Sequence, residues 1–522
     1  MSRAKWKMSG KLWEEMGYKL IKWGAFVCIA FILCIFILSD SISYGGMNHF
    51  NHSQAYYILI AVSILSIGFF IGNRMNGKVN INRRKMVLFL TLLLFVIQTV
   101  INLSTHILAS WDISSAIIPA AKAVADKEDI QQWFCTYYSR YENNLLICWI
   151  YSKLFMLLKL LHCYDPNDSL SVIVFVNSAF ACLSIYLVYH CTTKLVGETW
   201  GMVAWVCSMV CIGANPWFLV TYTDAFAIWI SVSIFCMVLH EENRLRDTFY
   251  KYFLIGVFAF LGYHIKPQSS IVFIAFCIVK FIGLFVRYIK RNRGAGIIAF
   301  SAVLSGLILS SGMYSIIEAD LPFVLEEEAA FSMTHYMMMG LNSETDGKYL
   351  GSDVEYSASF ATKKERNAGN AKVVIERLKT YGVKGYIQHI IRKTAICYTD
   401  GTFGYSDGAM HPQQQYDSGN RMIAELAGYF LYPYNDGFVI LENILQVFWV
   451  AILLGMVGFC FQKNLSDSVQ ELLMLVLIGT FLFEMVFEVQ PRHLYCNVPL
   501  YVITGMIGLK QIKQWVCRFG CE

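Results

Sequence analysis

Apolar and polar residues alternate in blocks along this chain, and the apolar blocks are long. They fall at roughly 20–39, 56–73, 86–108, 143–161, 170–189, 200–214, 221–240, 252–264, 270–287, 295–317, 436–461, 470–487 and 494–509. Many run about 17 to 25 residues with almost no charge, the length a helix needs to cross ~30 Å of hydrocarbon. A helix also satisfies its own backbone N–H and C=O groups where water is absent. The pattern therefore predicts an all-α, polytopic membrane protein. Composition agrees: 56% of the 522 residues are hydrophobic and 15% are charged, against about 25% charged in soluble domains.

Charge along the polar blocks sets the expected topology. The basic start (Arg3, Lys5, Lys7, Lys11, Lys19, Lys22) belongs inside. The stretch 39–55 has no Lys or Arg and belongs outside, whereas Arg74, Lys78, Arg83, Arg84 and Lys85 mark the next connection as inside. Arg244, Arg246 and Lys251, then Lys290, Arg291 and Arg293, then Lys510, Lys513 and Arg518 mark later inside positions. Both termini inside demands an even number of crossings. Thirteen segments then read as about twelve transmembrane helices plus one short or re-entrant helix. The shortest run in the stretch where parity fails is 200–214, about 22 Å at 1.5 Å per residue. The first apolar run follows its basic start without a small-residue cleavage site and is expected to stay as a helix. The site of the protein is thus a plasma (cytoplasmic) membrane, crossed many times.

Two polar blocks stand out on the outer side. One is "SWDISSAIIPAAKAVADKEDIQQWFCTYYSRYENN", Ser110 to Asn144. The other runs from about 321 to 433, too polar to span and too long for an idle connection. Within it "NAKVVIERLKTYGVKGYIQHIIRK" has helical apolar spacing and predicts an amphipathic helix. The layout is then 1–85 for N-terminal membrane helices, 86–320 for a core carrying a first loop at 109–142, 321–433 for the long outer region, and 434–522 for the last helices. The sixteen cysteines are scattered and read as small packing residues. Cys135 and Cys397 both fall outside and have the option of pairing.

The outer face collects polar residues with both a plain and a chemical reading. Asp112 and Asp224 (in "YTDAF") each suit a helix N-cap. Lys266 in "HIKPQSS" suits a snorkelling headgroup contact. His335 in "THYMMMGLN" suits an interfacial or structural role, and "DGTFG" at 400–404 a tight turn. Glu484 and Glu488 sit one helical turn apart, just before Pro491 and Arg492. A carboxylate in the bilayer costs roughly 2.5–3.5 kcal/mol on insertion scales, so it marks a functional site or pairs, here with Arg492. There is no Gly-rich phosphate loop opening a helix, no zinc-type His/Cys spacing and no Gly-x-Ser-x-Gly elbow. ATP chemistry and nucleic acid as a partner are not indicated. An enzyme of this build acts on something the membrane delivers, and a lipid-linked phosphosugar fits.

The ordered set of motifs resembles the GT-C glycosyltransferases, in particular bacterial relatives of protein O-mannosyltransferases and of the lipid A aminoarabinose transferase. A membrane helix leads to an outer loop with an early acid, Asp112, and an aromatic–Asn close, Tyr141-Glu142-Asn143-Asn144. Glu142 stands where the family often has proline. A second acid, Asp224, follows about a hundred residues on. Lys266-Pro267 resembles a basic position near the lipid phosphate, and Gln490-Pro491-Arg492-His493 a late Arg motif with His in the usual Tyr place. Two helices precede the one that carries the first loop, where the family usually has none. The resemblance implies transfer of a sugar from a polyprenyl-phosphate donor to a hydroxyl of a glycan, lipid or protein acceptor, at the membrane lipid surface. Asp112 would be the general base. Lys266, Arg492 and Arg140 would meet the phosphate charge. Asp224 would orient sugar or acceptor, or join Asp112 in holding a divalent cation. Tyr141, Asn143 and Asn144 would bind the sugar, with His335 and Glu488 also in the substrate site. Two rival readings are an O-antigen-type polymerase or ligase, which would use Arg and His of the long region, and a lipid-linked sugar flippase, which would show internal repeats and midplane polar residues.

Overall fold

The computed structural model describes residues 3–42, 50–74, 82–105, 112–165, 170–242, 244–287, 293–405, 420–433, 435–462 and 465–519. The start of the first polar block (110–111) and the charge-marking Lys78, Lys290 and Arg291 lie outside these residues. Among the described residues there is no strand.

Each apolar run forms helix over most of its described residues. The amino-terminal group is α1 (Arg3–Leu38), α2 (Gln54–Arg74) and α3 (Arg83–Asn102), the last opened by Asn82, whose side chain accepts from the Lys85 N–H at 3.2 Å. The first polar block folds as a π-wound turn (Ile113–Ile117), α4 (Ile118–Asp126) and α5 (Gln132–Arg140). Next come α6 (Leu145–Leu160), α7 (Leu170–Val196) and α8 (Glu198–Ser208), which continues as π-wound Met209–Ala214. The short α9 (Thr223–Phe226) leads to α10 (Ile228–Leu239), α11 (Leu245–Ile265), α12 (Ile271–Arg287) and α13 (Arg293–Asp320).

Among the described residues, six helices are long and apolar enough to cross a membrane by length and composition: Glu15–Ser41, Arg83–Asn102, Leu170–Val196, Gly296–Asp320, Asp436–Phe459 and Asp467–Val486. Four more are apolar but shorter, and Glu198–Ala214 is among them.

The long polar region is helical too. It contains α14 (Met333–Gly340), α15 (Gly351–Ala358), α16 (Lys363–Tyr398) and α17 (Arg421–Leu431). Thr362 caps α16: its hydroxyl accepts from the Glu365 N–H at 3.2 Å and donates to the Glu365 carboxylate at 3.0 Å. The expected amphipathic helix over 370–393 is present but broken. Gly382 has φ 55° and ψ −173°, far from helical values, and a side chain would resist that conformation. Buried polar residues help hold this region together. Arg377 holds Asp353 with two bonds of 2.8 and 2.6 Å, and Arg366 donates to the carbonyls of Ser357 (2.8 Å), Glu328 (2.6 Å) and Phe360 (3.0 Å).

The carboxy-terminal helices are α18 (Asp436–Phe459), α19 (Asp467–Val486) and α20 (Val498–Phe519). α18 and α20 meet backbone to backbone. A Cβ at Gly455 or Gly458 would collide with the carbonyl oxygens of Gly505 and Gly508. In lipid, where no hydrophobic drive pulls helices together, such close approach of small residues supplies the contact energy. Around this pair lies an aromatic core. Trp217 packs on Tyr495 with centroids 5.7 Å apart, and Trp449 packs on Tyr501 at the same distance. Both indoles find a carbonyl, of Thr402 (3.0 Å) and Tyr398 (2.9 Å).

Cys135 and Cys397 are both free thiols, so the optional pairing is not made. The Asp400–Gly404 stretch is a turn, as its composition predicts. The Asp400 carboxylate accepts from the N–H groups of Thr402 and Gly404, each at 2.7 Å.

Candidate active site

Two acids, one from the first polar block and one from the start of the apolar run 221–240, are joined through one tyrosine. Asp112 opens the π-wound turn ahead of α4, yet its side chain caps nothing. One of its oxygens, Oδ2, accepts from the hydroxyl of Tyr137 (2.6 Å), the hydroxyl of Tyr222 (3.2 Å) and the amide of Asn144 (3.3 Å). The Asn144 amide also donates to the Tyr137 hydroxyl oxygen at 2.6 Å. α5 and the aromatic–Asn close of the first block thus fold back to orient the carboxylate at their own beginning. Burial, followed by the neighbouring Asp112 charge, pushes the Tyr137 hydroxyl well above its ordinary range, so it stays a donor.

Asp224 is fully buried on α9. It caps nothing either. Its partners are the Lys266 ammonium at 2.6 Å and the Arg492 guanidinium at 3.7 Å. Lys266 comes from the break between α11 and α12, where Pro267 follows it, and its side chain is 9% exposed. It does not reach out to headgroups; a buried partner takes its charge. Arg492 comes from the turn-like helix Pro491–Asn497 between α19 and α20. The Tyr222 ring joins the two halves. Lys266 Nζ lies 5.9 Å and Arg492 Cζ 5.8 Å from its centroid, while its hydroxyl points at Asp112. Such cation–ring contacts are worth more once water is excluded.

The remaining candidates divide. Tyr141 packs on Tyr137 (5.1 Å) and Phe331 (5.3 Å), at the edge of the Asp112 group. Asn143 is exposed and donates to the Asn144 side chain at 3.1 Å. Arg140 is half-buried, and its carbonyl accepts from the Phe331 N–H at 3.1 Å. His335 faces the interior of the long region instead. Its Nδ1 bonds Ser357 at 2.7 Å, and burial lowers it to about 4, leaving a neutral ring packed at a tilt on Phe331, centroids 4.2 Å apart.

Glu484 and Glu488 part company. α19 ends at Val486, well before Pro491, and Phe487 is extended, so the one-turn spacing is lost. Glu484 is fully buried and meets His493 Nδ1 at 3.4 Å; Arg492 pairs with Asp224 rather than with Glu484. Glu488 lies beside Arg492 and Lys266. Burial raises its carboxyl above the usual range, and those two cations pull it back only in part.

Among the described residues no group of three or more His, Cys, Asp or Glu side chains gathers as a metal site. The two aspartates do not suit a shared divalent ion. Asp224 already sits between two cations, and a third positive charge there meets repulsion.

A family model described as "Conserved hypothetical integral membrane protein" matches residues 18–512. The chain belongs to that family. No curated protein matches it. Among solved structures it is similar to the crystal structure of ArnT from Cupriavidus metallidurans bound to undecaprenyl phosphate, at 11% identity and a TM-score of 0.31, over 82% of this chain and 78% of that one.

This integral membrane protein also builds its site with residues the sequence did not flag. Tyr137 and Tyr222 hold Asp112, and Tyr222 stood two places before Asp224 in plain view. Tyr336 of α14 lies near Asp112, Tyr141 and Glu488. Lys393 of α16 is buried, and it donates to the carbonyls of Gly340 (2.9 Å), Met485 (3.1 Å) and Phe487 (2.6 Å). It thereby ties the long region to the chain that runs on to Glu488 and Arg492. A cation at a helix C-terminus is favoured there, although burial lowers Lys393 to about 7.

Proposed function

We propose that this chain is a membrane glycosyltransferase. It moves a sugar from a polyprenyl-phosphate-linked donor to an acceptor hydroxyl, on the extracytoplasmic face of the plasma membrane. The observation that carries the reading is the joined group Asp112–Tyr222–Lys266/Arg492–Asp224. It sets a hydrogen-bonded carboxylate beside a pair of buried cations.

The chemistry follows from the charges. The Asp112 carboxylate takes the proton of the acceptor hydroxyl. The acceptor oxygen bonds to the anomeric carbon as the bond from that carbon to the phosphate oxygen breaks. The lipid phosphate leaves with the electron pair. Lys266 and Arg492 carry two positive charges and Asp224 one negative charge, so the trio presents net positive charge to the leaving oxygens. Asp224 holds the two cations in place without cancelling both.

The polymerase or ligase alternative calls on Arg and His of the long region. There Arg366, Arg377, His335 and His389 bond within the protein: to carbonyls, to Asp353, to Ser357 and to the Gly340 carbonyl. That favours the transferase. The test is transfer in proteoliposomes from a panel of labelled polyprenyl-phosphate sugars. Wild type is expected to turn over one of them and Asp112→Asn to fail. Equal rates for the two proteins would remove Asp112 as the base.

A further inference from the structure

α17 is amphipathic in the wrong sense for a helix in water. Met422, Leu426, Tyr429 and Phe430 recur at helical spacing, and they are 76%, 59%, 44% and 39% exposed. The opposite side, with Ala427 and Leu431, is buried. Asn420 caps the helix, accepting from the N–H groups of Met422 (3.0 Å) and Ile423 (3.4 Å), so its start is well defined. Its end is pinned. The Tyr405 hydroxyl donates to the Leu431 carbonyl at 2.9 Å, and the Asn435 amide to the Gly428 carbonyl at 2.9 Å.

That pin sits where α18 opens, and α18 is one of the helices able to cross the membrane. The 11 residues of α17 span about 16 Å, too short to cross. Its exposed stripe is prolonged by Ile440 and Ile444, which are exposed on the opening turns of α18. α17 also packs on α3, whose last turns expose Val96, Ile97, Val100 and Leu103. Exposed apolar side chains on crossing helices face lipid, so the α17 stripe continues a lipid-facing surface on both flanks.

We propose that α17 is an interfacial helix. Its Met422–Leu426–Tyr429–Phe430 stripe lies in the boundary between headgroups and acyl chains, in the leaflet where α18 begins. Its partner is phospholipid. Leu426 and Phe430 reach the chains, and Tyr429 presents an apolar ring with a polar tip to the headgroup level. The Arg421–Glu425 pair (2.9 Å) stays on the watery side. This inference does not depend on the transferase reading.

The test is photocrosslinking from p-benzoylphenylalanine placed at position 426 of the full chain, in phosphatidylethanolamine and phosphatidylglycerol vesicles and in native membranes. The same probe at position 440 marks lipid, and at position 356, an exposed position on α15, marks water. Intact-mass measurement is expected to show the mass gain of one phospholipid at 426 and 440 in comparable yield, and none at 356. A probe at 426 that behaves like 356, or that joins to a second copy or to another polypeptide, overturns the proposal.

Discussion

The two aspartates of the site are held in opposite ways. Asp112 is half-buried and gripped by neutral donors, two tyrosine hydroxyls and an asparagine amide. Asp224 is fully buried and gripped by two cations. Neutral donors fix a carboxylate in space and leave its charge available to a proton. Cations commit the charge, and in a buried setting that commitment is mutual: remove one partner and the others are stranded. In the proposed transferase this difference divides the roles: Asp112 reacts, and Asp224 keeps Lys266 and Arg492 where they stand.

The contrast can be broken from either side. Asp224→Ala should have the largest effect. It removes the carboxylate that pairs with both Lys266 and Arg492, leaving two buried cations without their shared partner, and a loss of about 3–5 kcal/mol is expected. Thermal unfolding in detergent reads this, and adding Lys266→Met should restore part of it. An Asp224→Ala protein as stable as wild type would mean that water already solvates the cations. Asp112→Asn keeps shape and most of its hydrogen bonds. Unfolding should shift little, while transfer falls about 100- to 10,000-fold, the usual worth of a general base.

Tyr222→Phe is a sharper probe, because it removes the hydroxyl that bonds Asp112 and keeps the ring beneath both cations. It should cost about 0.5–1.5 kcal/mol in thermal unfolding. The last effect is graded by pH and comes from a buried lysine whose hydrogen bonds, among the described residues, go to carbonyls. Lys393 sits at about 7 in the folded protein, against 10.5 for an ordinary lysine. Between those values the unfolded chain binds the extra proton, so stability should rise with pH above 7. The slope is on the order of 1 kcal/mol per pH unit, and Lys393→Met should flatten it relative to wild type in a pH series of unfolding curves.

The membrane helices were legible because partition into lipid is a local property: a charge-free run of sufficient length declares itself. The meeting of Asp112, Asp224, Lys266 and Arg492 was legible only as an ordered set of outward-facing residues. Their plain readings failed for one reason. Capping and snorkelling are local rules, and here long-range partners outcompeted them. Asp112 found Tyr222, and Lys266 found Asp224. Tyr137 and Tyr222 gave no signal in a chain with 30 tyrosines. Lys393 looked like one more charge on an amphipathic helix, since nothing local shows that the end of α19 covers it. The pairing of Glu484 with Arg492 assumed a helix that continues, whereas the chain extends after Val486.

The order of the parts along the chain has a consequence for how the protein is made. A ribosome delivers Asp112 first, then Asp224 with Lys266, and Arg492 only after α19 has been inserted. Until that moment the Asp224 pocket has one counter-charge in place of two, and α18 waits for the glycine seam of α20. Assembly of the pocket is therefore a late event in biogenesis, and a chain stalled before residue 492 would offer quality-control proteases an unfinished buried charge.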